Sequence, residues 1–220
     1  MRGLRNPKDS WHLSDSKFDQ TTCLLPDSAA EDIEKCENCP LFEGWGKDCI
    51  PYIGPKDMKL AQAMIGAGTD EAKFLRQIFI SMDITAPLYW WKEFDTYKVG
   101  TVANSTSTMH KLATTPITLD CFEIDDYCGD VEGVSEFVSG MISKLEELRV
   151  KFNETKDKRI WKELIRWLPE SWLQTRTVTF NYENAINMYK QRKNHKLTEW
   201  STSFIDWIKQ LPYAEEFIIN

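Results

Sequence analysis

The sequence predicts an α+β fold that is rich in helices and has few strands. Several segments carry apolar residues at helical spacing, and the longest runs from about Val134 to Asn153. Its apolar stripe consists of Phe137, Val138, Met141, Ile142, Leu145 and Leu148. Only residues 74–84 alternate cleanly, as a half-buried strand does. The apolar face of that predicted strand holds Ile78, Ile80, Met82 and Ile84.

The composition of the chain changes at about residue 55. Residues 1–55 are predicted to form an irregular extension that is rich in proline and holds four of the six cysteines. Residues 56–220 carry the periodic segments and are predicted to form the α+β domain. Its first helix runs from about Asp57, as the N-cap, to Ala67, where glycines end it.

A polar segment follows the predicted strand and an aromatic helix with Pro87 in its first turn. The run from Asn104 to Met109 consists mostly of Ser, Thr and Asn. It offers many hydrogen-bonding groups and almost no apolar surface, which suits a ligand better than a core. We interpret the run as the wall of a binding pocket.

The second half of the chain is predicted to be mostly helical. Residues 116–132 are acidic and rich in loops, and they precede the long helix. Pro169 stops the next helix, which covers residues 160–168. The remaining elements are an extended segment at 175–180 and helices at about Tyr182–His195 and Thr198–Gln210.

The overall charge and the apolar runs exclude several classes of protein. The net charge of −7 argues against broad nucleic-acid binding, which needs a basic face. No apolar run is long enough to span a bilayer, and the first residues lack the apolar region of a secretory signal. We therefore expect a cytoplasmic protein whose six cysteines are reduced thiols or metal ligands. Nine Trp and eleven Phe indicate a large aromatic core, an oligomer interface, or both.

The cysteines of the extension form a candidate zinc site. Cys36 and Cys39 have the Cys-x-x-Cys spacing that allows two thiolates to bind the same tetrahedral zinc ion. Cys23 and Cys49 are the candidates to complete the site. The alternative is a set of ordinary reduced cysteines in a loop.

A second polar cluster lies on the predicted helix at 182–195. Asn181, Asn184 or Asn187, and Arg192 fall near one face of this helix. Two carboxamides and a guanidinium can hold a planar heterocycle and a phosphate. The alternative is a solvated helix face.

The order of these segments along the chain resembles that of a known family. A Gly-ended helix leads to an alternating strand, then to Ala86-Pro87 with an aromatic helix, then to the polar run. Leu168-Pro169, a Thr-rich extended piece and an Asn-bearing helix follow. This order is similar to that of flavin-dependent thymidylate synthases over about residues 57–210, and it leaves the cysteine-bearing extension outside.

The family's central signature, Arg-His-Arg-x-x-Ser-x-Asn-Glu-x-Ser-x-Arg-Tyr, contacts the flavin and the uracil nucleotide. Its first three residues fall on Thr96, Tyr97 and Lys98, and its Asn and second Ser on Asn104 and Ser107. The resemblance implies Lys98 and Ser107 as catalytic residues and Tyr97 and Asn104 as cofactor contacts. The departures are Ser105 for the Glu and Met109 and His110 for the final Arg and Tyr.

The later half matches the family better. The positions that match its cofactor and nucleotide contacts are Asn181, Asn187 and Arg192. Arg166 is one place from a phosphate-binding Arg of the family, at whose own position Ile165 stands. Glu183 replaces an Arg that contacts the flavin. By resemblance, Asn181, Asn187, Arg192 and Arg166 are expected to bind the cofactor or nucleotide.

The resemblance implies a helix-rich fold with a small antiparallel sheet, bound FAD, and a homotetramer whose subunits share active sites. The family transfers a methylene from folate to dUMP and reduces it with a flavin hydride. One hypothesis is therefore flavin-dependent methylation of a pyrimidine nucleotide, dUMP to dTMP. Because the signature charges are exchanged, the alternative is a non-catalytic protein that sequesters a nucleotide, such as a phage-like, viral or mobile-element accessory protein. A third hypothesis is a purely structural or protein-binding module that the zinc site stabilises.

Overall fold

The computed structural model describes residues 15–23, 49–124 and 129–220. The strands are β1 (Lys17–Cys23), β2 (Cys49–Tyr52), β3 (Phe79–Pro87), β4 (Val102–Ser105) and β5 (Leu173–Asn181). The α-helices are α1 (Pro55–Ala67), α2 (Leu88–Phe94), α3 (Thr108–Thr114), α4 (Val134–Thr155), α5 (Lys158–Arg166), α6 (Tyr182–Arg192) and α7 (Ile205–Lys209). The predicted helix-rich α+β class is confirmed.

The chain divides into two compact units. One unit is Ile80–Phe180, and the other joins the described residues up to Phe79 with Asn181–Asn220. We call them the sheet unit and the terminal unit.

The sheet unit is built on a three-stranded antiparallel sheet in the order β3-β5-β4. Helix α2 covers one face of this sheet with the buried side chains of Trp90, Trp91 and Phe94. Trp91 donates its indole N–H to the carbonyl of Gln174 at 2.9 Å, and the Phe94 and Phe180 rings meet at 6.3 Å. Burial of these aromatic rings fixes α2 against the central strand.

A second apolar cluster of the sheet unit lies under α4 and α5. Its buried members are Leu112, Ile117, Phe122, Leu145, Leu164 and Trp172. Phe152 of α4 and Trp161 of α5 join the two helices, with ring centroids 4.9 Å apart. The predicted stripe of α4 is confirmed at Leu145, which is buried, but it is wrong at Phe137, which is 70% exposed near the start of the helix.

The terminal unit packs around Tyr182 and Phe217. The Tyr182 hydroxyl donates a hydrogen bond to the carbonyl of Pro212 at 2.7 Å. The backbone N–H of Tyr182 donates to the carbonyl of Ile78 at 3.1 Å. The Phe217 ring meets those of Tyr182 and Phe74 at 6.4 and 5.9 Å. These contacts attach the carboxyl-terminal segment to α6.

Two predicted boundaries differ from the structure. Residues Ala72–Gln77 form a 3₁₀ helix, so the predicted strand begins only at Phe79. Phe74 and Leu75 are adjacent and both buried, whereas neighbouring strand residues point to opposite faces of a sheet. The predicted helix at 198–210 is divided, because Glu199–Phe204 has π-helical hydrogen bonding before α7 begins.

The predicted N-cap of α1 is wrong. Gly54 is the N-cap, and Asp15 supplies the capping oxygens from a distant part of the chain. Its carboxylate accepts hydrogen bonds from the backbone N–H groups of Lys56 at 2.8 Å and Asp57 at 3.1 Å. Asp57 is instead fully buried and accepts from the Ser16 hydroxyl at 2.7 Å.

Among the described residues, no helix has the length and apolar character that crossing a membrane requires.

Candidate functional site

One face of the three-stranded sheet carries a row of hydroxyl groups, which we call the polar face. The residues of β5 that point to this face are Thr175, Thr177 and Thr179, since side chains alternate along a strand. Their hydroxyls each bond a side chain of β3: the pairs are Thr175–Thr85 at 2.7 Å, Thr177–Asp83 at 2.5 Å and Thr179–Ser81 at 3.2 Å. The face opposite α2 therefore presents a row of hydrogen-bonding groups, with the exposed side chains of Phe79 and Val102 at one end.

Asn104 lies at the edge of the polar face. Its register partner is Thr177, so both side chains lie on the same face of the sheet. Two residues on, Thr106 donates its backbone N–H and its hydroxyl to the carbonyl of Thr175, at 3.0 and 2.9 Å. The polar run of the sequence thus begins as an exposed edge strand.

The turn after α2 holds two predicted site residues, Tyr97 and Lys98. Tyr97 is half-buried, and its ring meets that of Phe94 at 6.5 Å. Its carbonyl accepts a hydrogen bond from the Thr101 hydroxyl. Lys98 is exposed, and its ammonium pairs with no residue in the described part of the chain. Its charge is therefore available to a ligand.

Ser107 and Arg166 have different surroundings. Ser107 is the N-cap of α3, and its carbonyl accepts from the backbone N–H of Lys111 at 3.0 Å. The Ser107 hydroxyl makes no capping bond. Arg166 is exposed at the end of α5 and forms an ion pair with Glu163. A ligand would have to compete with that carboxylate for the guanidinium.

The other predicted residues lie in the terminal unit, on α6. Asn181 is its buried N-cap, and it forms a capping box with Asn184. The Asn181 side chain accepts from the Asn184 N–H at 3.0 Å, and the Asn184 side chain accepts from the Asn181 N–H at 3.2 Å. Asn187 is exposed, and the Arg192 guanidinium lies over the Trp200 ring, 4.7 Å from its centroid. Asn181 therefore has a structural role at the helix start, which accounts for its carboxamide.

Sequence reasoning did not identify Arg176. Its side chain is only 16% exposed, and its guanidinium donates to Asp95 at 2.8 Å and to Gln174 at 2.9 Å. It also lies over the Trp91 ring, 4.3 Å from the centroid. The signal in the sequence was an arginine between threonines in TRTVTF, which places it on the face opposite the hydroxyls.

Sequence reasoning also did not identify a cavity of about 280 Å³ in the sheet unit. The polar face leads into it through Thr85, Thr106 and Thr175. Lys111 of α3 and Asp120 contribute opposite charges to its lining. Thr106 belongs to the polar run that we interpret as a pocket wall, but none of the individually predicted site residues lines this cavity.

The predicted zinc site falls largely outside the described residues. Cys36 and Cys39 belong to the part of the chain that the structure does not describe. The backbone register of β1 and β2 places Cys23 opposite Cys49. In the described part of the chain, no three His, Cys, Asp or Glu side chains are grouped so that they could hold a metal ion, so zinc is unsupported there.

Comparisons with known proteins show which known fold the chain has. No family model matches the chain, and no curated protein matches it. Two crystal structures of the flavin-dependent thymidylate synthase ThyX from Helicobacter pylori with FAD and dUMP are similar to it, each at 16% sequence identity. One has a TM-score of 0.55 and covers 74% of this chain and 83% of that one. The other has a TM-score of 0.56, with 75% and 82% covered.

This likeness agrees with the resemblance inferred from the order of the sequence elements. At 16% identity it concerns the path of the backbone and the arrangement of the elements. The chain has the fold of the flavin-dependent thymidylate synthases.

Proposed function

We propose that the protein binds a flavin or a nucleotide and that its first candidate activity is flavin-dependent methylation of dUMP to dTMP. The observation that carries the proposal is the likeness, over about three quarters of the chain, to a synthase crystallised with FAD and dUMP. The polar face adds support, because hydroxyl and carboxamide groups can recognise a heterocycle and a ribose without a large apolar pocket.

The side chains of the sheet unit fit such a ligand. Lys98 offers an anionic group an ammonium that pairs with no described residue, and Asn104 and Ser107 offer hydrogen bonds to a ring edge. Tyr97 offers an aromatic surface beside them in the chain. FAD, when bound, would supply the hydride. In this proposal Lys98 stabilises negative charge on the uracil ring, although one ammonium cannot reproduce the bidentate fork of an arginine.

Further contacts are proposed from the family resemblance alone. Arg192 and Arg166 would meet phosphate, and Asn187 would hydrogen-bond the flavin. Asn181 would act through the start of α6, which its capping box holds.

We further propose a homo-oligomer, a tetramer as the family resemblance implies. Val99 and Val102 are 84% and 71% exposed beside the Lys98 turn and Asn104. Such apolar side chains next to a proposed site favour contact with another subunit.

The visible absorption spectrum tests flavin binding. Purified protein, with and without added FAD, is expected to retain a flavin spectrum after gel filtration. Tritium release from [5-³H]dUMP then tests for chemistry at the uracil ring. Lys98→Met is expected to lower tritium release by about tenfold or more, since a charged hydrogen bond is worth about 1.5–3 kcal/mol. Lys162→Met, an exposed change on α5, is the matched control. A colourless protein that does not take up FAD contradicts the flavoenzyme.

The second candidate function is sequestration of a nucleotide without chemistry. The exchanged charges favour it: between Thr96 and Ser107 the chain holds one cation, Lys98. A thermal-shift series with dUMP, FAD, ADP-ribose and cyclic dinucleotides separates the two functions, because a ligand of the folded state raises the melting temperature by mass action. A nucleotide that shifts melting without flavin uptake or tritium release supports sequestration. If no nucleotide shifts melting, this function is wrong.

A further inference from the structure

We propose that the cavity beside the polar face binds the phosphate monoester of a small sugar or polyol. The cavity lies wholly within the sheet unit, between the start of β5, the α3 helix and the turn at Leu119–Cys121. It shares Thr85 and Thr175 with the polar face, but none of the individually proposed flavin or nucleotide contacts, such as Lys98, Asn104 and Ser107, lines it. The proposal therefore goes beyond the proposed function and does not rest on it.

Among the residues that the structure describes, the cavity lining carries one cation and one carboxylate, and the cation favours an anionic group on the ligand. That cation is Lys111, which is exposed on α3. Within the described ranges, no carboxylate forms an ion pair with it, although Asp120 lines the same cavity. A phosphate monoester satisfies an ammonium in this position through charge-assisted hydrogen bonds.

The remaining polar groups favour a ligand that carries several hydroxyls. Four threonines line the cavity: Thr85, Thr106, Thr115 and Thr175. A threonine hydroxyl both donates and accepts, as a sugar hydroxyl does. The Asp120 carboxylate accepts hydrogen bonds when ionised, so a sugar O–H can donate to it. A bare oxyanion has the same sign of charge as this carboxylate and brings no such donor.

The walls of the cavity are held in place before any ligand arrives. The ring of Phe122 meets that of Trp172 at 5.5 Å, and the two residues form an antiparallel bridge. Glu123 donates its backbone N–H to the carbonyl of Ser171 at 2.8 Å. These contacts fasten the turn that carries Asp120 to the start of β5. Because these residues are already ordered, ligand binding loses less free energy to ordering the site.

The size of the cavity limits the ligand. A volume of about 280 Å³ corresponds to roughly nine water molecules at about 30 Å³ each. It lies just below the usual range of ligand pockets, which begins at about 300 Å³. This room suits a pentose or hexose phosphate and is too small for a dinucleotide such as FAD.

Cys121 provides a reporter for the test. It lines the cavity as a half-buried free thiol. A ligand in the cavity is expected to shield it from a neutral alkylating agent such as iodoacetamide. Peptide mass spectrometry distinguishes Cys121 from the other cysteines.

The experiment measures the alkylation rate of Cys121 in the full-length protein with ribose 5-phosphate, ribose or inorganic phosphate. Ribose 5-phosphate at ten times its Kd is expected to slow alkylation about tenfold, because only the free fraction reacts. Ribose and phosphate, separately or together, are expected to protect far less at the same concentration. If ribose 5-phosphate gives no protection, the proposal is wrong. Equal protection by inorganic phosphate alone would reduce the cavity to a general anion site and overturn the sugar-phosphate assignment.

Variants of the cavity lining test whether ribose 5-phosphate binds in this cavity. Lys111→Met is expected to weaken protection by ribose 5-phosphate about tenfold or more, and Thr85→Val by about two- to tenfold. Lys162→Met is the matched surface control and is expected to change nothing. Equal effects of Lys111→Met and Lys162→Met would overturn the assignment. Lys98→Met is expected to leave ribose 5-phosphate protection intact, so failure of flavin or nucleotide binding is distinguishable from failure of this site.

Discussion

Arg176 of the central strand donates a 2.8 Å hydrogen bond to Asp95, the residue that ends α2. The same guanidinium lies over the Trp91 ring of that helix and also donates to Gln174. The chain continues from Asp95 into the turn that carries Lys98. Arg176 therefore joins the sheet to the segment in which two of the proposed ligand contacts lie.

Replacing Arg176 is expected to destabilise the protein more than replacing its partner. Arg176→Met should lower the free energy of unfolding by about 1–3 kcal/mol, since it removes hydrogen bonds and a cation–π contact. Asp95→Asn should cost less than about 1 kcal/mol, because Asp95 is 52% exposed and exposed ion pairs contribute little. Urea unfolding measures both. A larger loss for Asp95→Asn would show that the ion pair, and not the packed guanidinium, makes the connection.

Asn181 is expected to stabilise α6 whether or not a cofactor binds. Asn181→Ala should cost about 1 kcal/mol, because it removes the N-cap acceptor and breaks the capping box. Asn187→Ala, at an exposed position of the same helix, should change stability by no more than about 0.5 kcal/mol. Thermal or urea unfolding of ligand-free protein measures the difference. Equal stability of the two variants would contradict a structural role for Asn181.

Two glycines are expected to respond to alanine in opposite ways. A Cβ on Gly54 would lie 2.3 Å from Cγ and 2.4 Å from the carbonyl oxygen of Asp15. Gly54→Ala should therefore displace the residue that caps α1 and cost about 1–3 kcal/mol. Gly140 lies inside α4 with nothing within 4 Å of such a Cβ, so Gly140→Ala should add about 0.5–1 kcal/mol. A melting temperature that Gly54→Ala leaves unchanged or raises would contradict the capping contact.

Glu146 is expected to make stability depend on pH. Its carboxylate accepts from Arg149 at 2.5 and 2.7 Å and from the Ile117 N–H at 2.8 Å. The hydrogen bond from Arg149, helped by the backbone N–H, lowers the pKa of Glu146. This stabilisation is present above the unfolded pKa of about 4.3 and disappears as the pH falls through the lower folded pKa.

Glu146→Gln is therefore expected to be less stable than the wild type at pH 7, by about 1 kcal/mol. The two should converge as the pH falls below about 4. Urea unfolding at several pH values measures the difference. Glu154→Gln, an exposed change on the same helix, is the control. If the difference in unfolding free energy between wild type and Glu146→Gln stayed constant down to acid pH, it would contradict the lowered pKa of Glu146.

The regular elements could be predicted because their signals are local. The apolar spacing around Leu145 predicts α4, and the alternation of Ile80 and Met82 predicts β3. Asn181 follows an extended segment and has a second Asn three residues later, which is the pattern of a capped helix start. In these cases neighbours in sequence are also neighbours in structure, so the sequence pattern is sufficient to predict the element.

Local sequence patterns were sufficient to predict the helix-rich class, the order of the elements and the polar character of the run at Asn104. Three relationships emerged only from the packing of the elements: Asp15 caps α1 from 41 residues away, Asp95 accepts from Arg176, and Lys111 lines a cavity with Thr85. Each of them joins residues that are far apart along the chain. Such contacts depend on how the elements pack, and hydrophobic periodicity specifies which face is buried but not which distant side chain meets it.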